Sequence, residues 1–147
     1  MVAAVGEPFV HTLRVRYSEC DLQGVLFNAH YLAYVDDTVT EMWRAAFGGY
    51  MAMLQRGVDL VVAEAGVRFR EPARFDQEVA IEARVTRIGT TSVGSEYRFT
   101  RDGRLLADAS LRHVFVDPAT GAKAPIPDWA RTGLARWLVT PPAASGP

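Results

Sequence analysis

Across residues 9–17 apolar and polar positions alternate. Phe9, His11, Leu13, Val15 and Tyr17 fall on one face, Val10, Thr12, Arg14 and Arg16 on the other. A period of two predicts a strand. A polar segment at 18–23 follows and closes on Gly24. Beyond Asn28 the period changes. Tyr31, Tyr34, Val35, Thr38, Val39, Met42, Ala46 and Phe47 recur at three and four, with Asp36, Asp37, Thr40 and Glu41 opposite them. That stripe predicts a helix packed on one side. Asn28 stands where an N-cap belongs and Gly48-Gly49 where the helix stops. About 20 residues at 1.5 Å each give a helix ~30 Å long.

Everything after this helix reads as strand. Val61, Ala63, Ala65, Val67 and Phe69 alternate with Val62, Glu64, Gly66, Arg68 and Arg70, up to Pro72 and a turn at 74–77. Val79, Ile81, Ala83 and Val85 open the next strand, which Gly89 breaks, and Val93, Ser95, Tyr97 and Phe99 continue to Asp102-Gly103, a tight-hairpin signal. The last long run covers 105–116 and ends at Asp117-Pro118. Asp128 stands to cap a short helix over about 128–138 carrying Trp129, Leu134, Trp137 and Leu138, and 141–147 read as a frayed tail.

Strands joined by short turns pair antiparallel, and one apolar-striped helix buries itself on the sheet. The expected architecture is a single α+β domain over 1–147, its core at about 9–117. Ala63, Ala65, Gly66, Ala83, Ala107 and Ala109 are small enough to let the helix approach the sheet.

The bulk numbers narrow the function. Sixteen basic residues against 17 acidic ones leave a net charge of −1, which argues against nucleic acid as a partner. A single cysteine, Cys20, excludes an internal disulfide and a multi-cysteine metal site. The first eight residues do not read as a signal peptide, and no run of about 18 apolar residues suggests a membrane span. Expectation therefore starts from a cytoplasmic protein.

Residues 17–31, Tyr-Ser-Glu-Cys-Asp-Leu-Gln-Gly-Val-Leu-Phe-Asn-Ala-His-Tyr, carry the chemistry. A strand end, a loop with two acids, a glycine and a helix N-terminus follow one another. Free amides in a helix's first turn, with the dipole's positive end, form an anion or oxyanion site. A carboxylate a few residues earlier supplies the opposing base or nucleophile that acyl transfer requires. Asp21 holds that place, although an aspartate before a glycine also commonly organises a turn. Glu19 is the alternative base. Cys20 has only His30 nearby to activate it and reads as a small buried hydrophobe. His11 and His113 lie on different strands without ligand spacing, so no metal is expected.

Asp21, Gly24, Asn28 and Tyr31, preceded by Tyr17 and followed by Leu32-Ala33-Tyr34 and Glu41-Met42, resemble the signature of 4-hydroxybenzoyl-CoA thioesterase-like proteins of the hotdog superfamily. The resemblance implies a five-stranded antiparallel sheet wrapped around the long central helix and an acyl-CoA thioesterase. It implies Asp21 as nucleophile or general base and the Asn28 backbone N–H as the group that polarises the thioester carbonyl. Tyr17, Gly24, Val25, His30 and Tyr31 are then expected around the substrate, with Arg87, Thr90, Thr91 and Ser92 nearer the CoA. No metal or cofactor is implied, because CoA belongs to the substrate. A homodimer or homotetramer is implied, sheets joined edge to edge and sites at the interface. Two departures stand out. Several relatives carry histidine or an aromatic residue where Asn28 stands. The segment 88–92 also lacks the basic cluster that some relatives place after the third strand, leaving phosphate contacts to hydroxyls, backbone amides and arginines such as Arg84. The competing readings are a thioesterase for acyl-carrier-protein or polyketide substrates and a non-catalytic acyl-CoA binding module. The histidine–acid motif of hotdog dehydratases is not found.

Overall fold

The computed structural model describes residues 6–139, so the tail expected to fray lies outside the described residues. The elements are β1 (Phe9–Arg14), a 3-10 turn (Tyr17–Glu19), α1 (Ala29–Phe47), α2 (Tyr50–Gln55), β2 (Asp59–Phe69), β3 (Glu78–Ile88), β4 (Ser92–Arg101), β5 (Arg104–Val116) and α3 (Asp128–Ala135). The strands form one five-stranded sheet in the order β1-β3-β4-β5-β2. Every neighbouring pair is antiparallel. At Arg101–Arg104 the hairpin turns on Asp102 and Gly103 at φ 50° and 76°, the left-handed pair that a two-residue turn requires.

The apolar stripe of α1 is the core's centre. Tyr31, Tyr34, Val35, Val39, Met42, Trp43 and Phe47 are buried, together with Val79, Ile81, Ala83 and Val85 of β3, Val93, Tyr97 and Phe99 of β4, and Ala107, Ala109 and Leu111 of β5. The helix stops at Gly48, which takes φ 84° and returns its N–H to the Arg44 carbonyl. This is the hotdog arrangement: a curled sheet around one long helix.

Five details depart from the sequence expectations. The first strand ends at Arg14, and Tyr17 is exposed on the 3-10 turn, because the Glu19 carboxylate takes the Arg16 N–H at 2.9 Å and closes the chain on itself. A second helix, α2, precedes β2; only Met53 of its six residues is buried, too short a stripe to be legible. The strand β2 pairs with β5 rather than with β3, its neighbour in sequence, and forms an edge. Ala63, Ala65 and Gly66 are therefore exposed, while Ala83, Ala107 and Ala109 do lie buried in the core. Pro127, not Asp128, holds the N-cap position of α3, which ends at Ala135. Residues 137–139 then pair with Val85, through Val85 N–H to the Trp137 carbonyl at 2.9 Å and Val139 N–H to the Val85 carbonyl at 2.8 Å. They cover the part of β3's edge that β1, which begins opposite Ala83, does not reach.

Gly133 sets how closely α3 approaches α1. A Cβ there would stand 2.9 Å from Phe47 Cε1 and 3.2 Å from the Ala46 carbonyl oxygen, and that backbone cannot yield. Gly133→Ala is expected to lower unfolding free energy by about 1–3 kcal/mol despite its better helix propensity. A denaturant midpoint equal to or above wild type would contradict this packing.

Candidate active site

The segment between β1 and α1 is a miniature hairpin. Cys20 and Leu26 form an antiparallel bridge, Asp21 N–H donates to the Val25 carbonyl at 3.0 Å, and Gly24 N–H returns to the Asp21 carbonyl at 3.0 Å. Gly24 takes φ 75°, which a side chain would strain. The hairpin is bonded to the chain ahead of β3: Leu26 N–H to the Ala73 carbonyl at 2.7 Å and Phe75 N–H to the Gly24 carbonyl at 3.0 Å. Asp21 is exposed at its tip. Its Oδ1 accepts the Gln23 N–H at 2.8 Å, and its Oδ2 has no partner among the described residues. One oxygen thus organises the turn and the other remains open to chemistry.

Asn28 occupies the N-cap position of α1 but does not cap it. Its φ and ψ of −48° and −43° are already helical, and its side chain makes no capping hydrogen bond. No acidic residue lies in the helix's first turn. Among the described residues the N–H groups of Asn28 and Ala29 find no acceptor, whereas those of Phe27, His30 and Tyr31 are bonded to the carbonyls of Glu19, Phe27 and Asn28. The positive end of a 19-residue helix therefore carries unused donors seven residues after an open carboxylate.

The flanking residues divide into supports and exposed surface. Tyr31 is buried behind the helix start; its ring stands 5.0 Å from Phe69 and 5.3 Å from Phe99, its hydroxyl accepts the Ala73 N–H at 3.4 Å, and burial pushes its pKa up. Tyr17 packs edge-on against Phe75 at 6.1 Å, and His30 edge-on against Phe27 at 6.3 Å. Gly24 and Val25 are half-buried in the hairpin.

Glu19 is a fixture rather than a free base. Burial alone raises its pKa, but the Arg16 guanidinium at 3.2 Å, the Tyr34 hydroxyl at 2.7 Å and the Arg16 N–H together hold it below the usual carboxylate range. Tyr34 is correspondingly pushed well up, by burial and by donating to Glu19. The Cys20 thiol is also pushed up, by desolvation and by the carboxylates of Asp21 and Glu19 on either side, the opposite of activation. Among the described residues no group of three or more His, Cys, Asp or Glu side chains could hold a metal.

Arg87, Thr90, Thr91 and Ser92 sit elsewhere. The Asp21 hairpin adjoins the start of β3, and these four residues surround its far end, 11 residues on, or ~35 Å at 3.3 Å per residue. There the turn is fastened to the C-terminal segment: Ile126 N–H donates to the Thr90 carbonyl at 2.9 Å and the Arg131 guanidinium to the Gly89 carbonyl at 2.6 Å. One chain does not bring them to Asp21.

Two histidines lie off this site. His11 Nε2 meets Asp37 Oδ2 at 2.7 Å, tying β1 to the polar face of α1. His113 is buried on β5 against Trp43, with Nδ1 unpartnered among the described residues, and burial pushes its pKa down from 6.5 to about 4. Between those values the unfolded chain binds a proton that the folded chain refuses. Its contribution to stability is thus complete above pH 6.5 and lost as pH falls through the window to about 4. The loss is of the order of ~3 kcal/mol at 1.36 kcal/mol per unit. His113→Leu is expected to match or exceed wild-type stability at pH 7 and to exceed it by about 2 kcal/mol or more near pH 4.5. Parallel urea midpoints for the two proteins across that range would contradict it.

Comparison with known proteins gives a consistent picture. A sequence model of the thioesterase-like superfamily matches residues 15–138. The acyl-CoA thioester hydrolase YbgC of Escherichia coli O6:H1 is 32% identical over 107 residues, which cover 72% of this chain and 80% of that protein. A hypothetical protein of Thermus thermophilus, solved by crystallography, is 32% identical with a TM-score of 0.78, covering 87% of this chain and 98% of its own. A 1,4-dihydroxy-2-naphthoyl-CoA thioesterase from Synechocystis shares the fold at TM-score 0.79 and 18% identity, covering 86% and 95%.

Proposed function

The chain belongs to the thioesterase-like superfamily, and from that premise we propose that it hydrolyses acyl-CoA thioesters to the free carboxylic acid and CoA. The observation that carries the proposal is the open Oδ2 of Asp21 set before the unused N–H groups at the start of α1. The thioester carbonyl lies between them. The Asn28 N–H polarises its oxygen and stabilises the charge that develops there, while Asp21 acts on the other side. Asp21 either attacks the carbonyl carbon, expelling the thiolate and leaving an anhydride that water opens, or takes a proton from the attacking water. Both routes consume one water, break the C–S bond and deliver a proton to the thiolate. No metal or redox step is required, and the reading needs no cofactor. Tyr31 holds the helix start in place; Tyr17, Gly24, Val25 and His30 surround the acyl and pantetheine portions.

The active unit in this reading is a homodimer joined through β2. That strand is an 11-residue edge whose Val61 and Val62 are uncovered, and a long apolar edge invites a partner strand. Copies related by a two-fold axis perpendicular to the sheet pair β2 antiparallel and keep both α1 helices on one side. The flip brings the partner's Arg87, Thr90, Thr91 and Ser92 to the same end of the joined sheet as this chain's Asp21, which one chain alone leaves ~35 Å away. They then serve the CoA moiety across the interface, with the half-buried Arg84 of β3 of lesser claim. No helix among the described residues is long and apolar enough to cross a membrane, and the proposed setting is the cytoplasm. The test is kcat/KM for thiol release from a panel of acyl-CoAs and from the same acyl groups on a carrier protein. Turnover of CoA esters is expected; turnover of carrier-linked substrates alone would move the proposal to that class, and tight binding without release would make the protein a binding module.

A further inference from the structure

The two ends of the β2 edge carry complementary uncovered apolar groups. At the Asp21 end Leu22, beside the carboxylate, is fully exposed, and Phe27 and Phe69 are exposed nearby. At the opposite end stands α2, which enters β2 through Asp59. Its Met51 is 65% exposed and Tyr50 is exposed beside it. This is no loose surface, because Met53 anchors α2 at 0% exposure and the Tyr50 hydroxyl donates to Asp59 Oδ1 at 2.6 Å. Asp21 and Asn28 are both exposed, and neither lines any of five open clefts among the described residues.

A two-fold through the middle of β2 resolves both observations. The helix α1 spans 19 residues, ~28 Å, and β2 spans 11, ~35 Å, and they run between the same two ends of the sheet. Reversing β2 against its copy lays the partner's Asp59 end beside this chain's Phe69 end, and so brings the partner's α2 to Leu22 and the start of α1. We propose that α2 forms the outer wall of the acyl pocket in the partner subunit's site, with Met51 the side chain that sets how bulky an acyl group the site admits. This rests on the dimeric hydrolase reading above and adds to it a cross-subunit specificity residue. A thioether side chain suits the place, since it is unbranched and adapts to the shape of an apolar ligand.

Met51 is exposed in the folded chain, so replacing it leaves the core intact, as far-UV circular dichroism and sedimentation would register. In homodimers, Met51→Trp is expected to lower kcat/KM for the bulkiest accepted acyl-CoA by about 10-fold or more relative to the smallest, and Met51→Ala to shift the profile the other way. Mixed dimers purified on two tags then assign the subunit. When Asp21→Asn and Met51→Trp share one chain and the partner is wild type, the single live site is expected to show the Met51→Trp profile. When they lie on different chains, the live site is expected to keep the wild-type profile. The reverse pattern, or a wild-type profile in every Met51 variant of an active dimer, overturns this proposal and leaves the hydrolase reading standing. No thiol release by the wild type, or full activity in a sample that sediments as monomer, overturns the parent reading and this proposal with it.

Discussion

Asp21→Asn is expected to lower kcat/KM for acyl-CoA hydrolysis by about 10²–10⁴, the range for loss of a positioned base. The substitution isolates the charge. The asparagine oxygen can still accept the Gln23 N–H that Oδ1 now takes at 2.8 Å, so the turn into Gly24 persists. What disappears is the anionic oxygen that attacks or deprotonates. The loss should therefore appear in kcat, with acyl-CoA binding and denaturant midpoint close to wild type. Cys20 contributes a thiol to any thiol assay and must be subtracted. Full activity in Asp21→Asn would remove the carboxylate from the chemistry, and Glu19, tied by Arg16 and Tyr34, would be a poor replacement.

Ala65→Lys is expected to weaken self-association by about 100-fold or more and to lower specific activity in parallel with the dimer fraction. Ala65 is exposed and lies near the middle of β2, close to where a two-fold crosses that edge. Each monomer tolerates the lysine in solvent. In the dimer two like charges face one another with little water, and an unpaired desolvated charge costs several kcal/mol, at 1.4 kcal/mol per factor of ten. Sedimentation and thiol release measured on the same samples check both halves. An Ala65→Lys protein that stays a dimer, or a monomer with wild-type kcat, would separate the site from the β2 edge.

Much of this was legible in the chain because periodicity reports burial. The α1 stripe, the alternation in β3 and β4, and the Asp102-Gly103 turn each follow from one local rule, and the elements stand where those rules put them. The misses concern places where local pattern and tertiary position part. The alternation in β2 looks like any other strand's, yet its partner is β5 and its small residues face solvent, because pairing across the sheet is invisible to a window of ten residues. Trp43 is a different kind of miss: it fits the buried stripe of α1, four residues after Val39 and four before Phe47, yet the stripe as read passes over it. The helix α2 has one buried residue and no period to read. At the site, the Asp21–Gly24–Asn28 spacing was readable, while the split role of the two Asp21 oxygens and the uncapped helix start needed coordinates.

The central claim is hydrolysis of a thioester by water, and the most direct measurement is turnover of an acyl-CoA in oxygen-18 water with both products quantified. Hydrolysis yields one free thiol and one carboxylic acid per event, the acid carrying one solvent oxygen after many turnovers. Thiol release without solvent oxygen in the acid would mean transfer to another acceptor, and binding with neither product would mean that the chain holds acyl-CoA without cleaving it; either result would contradict the account.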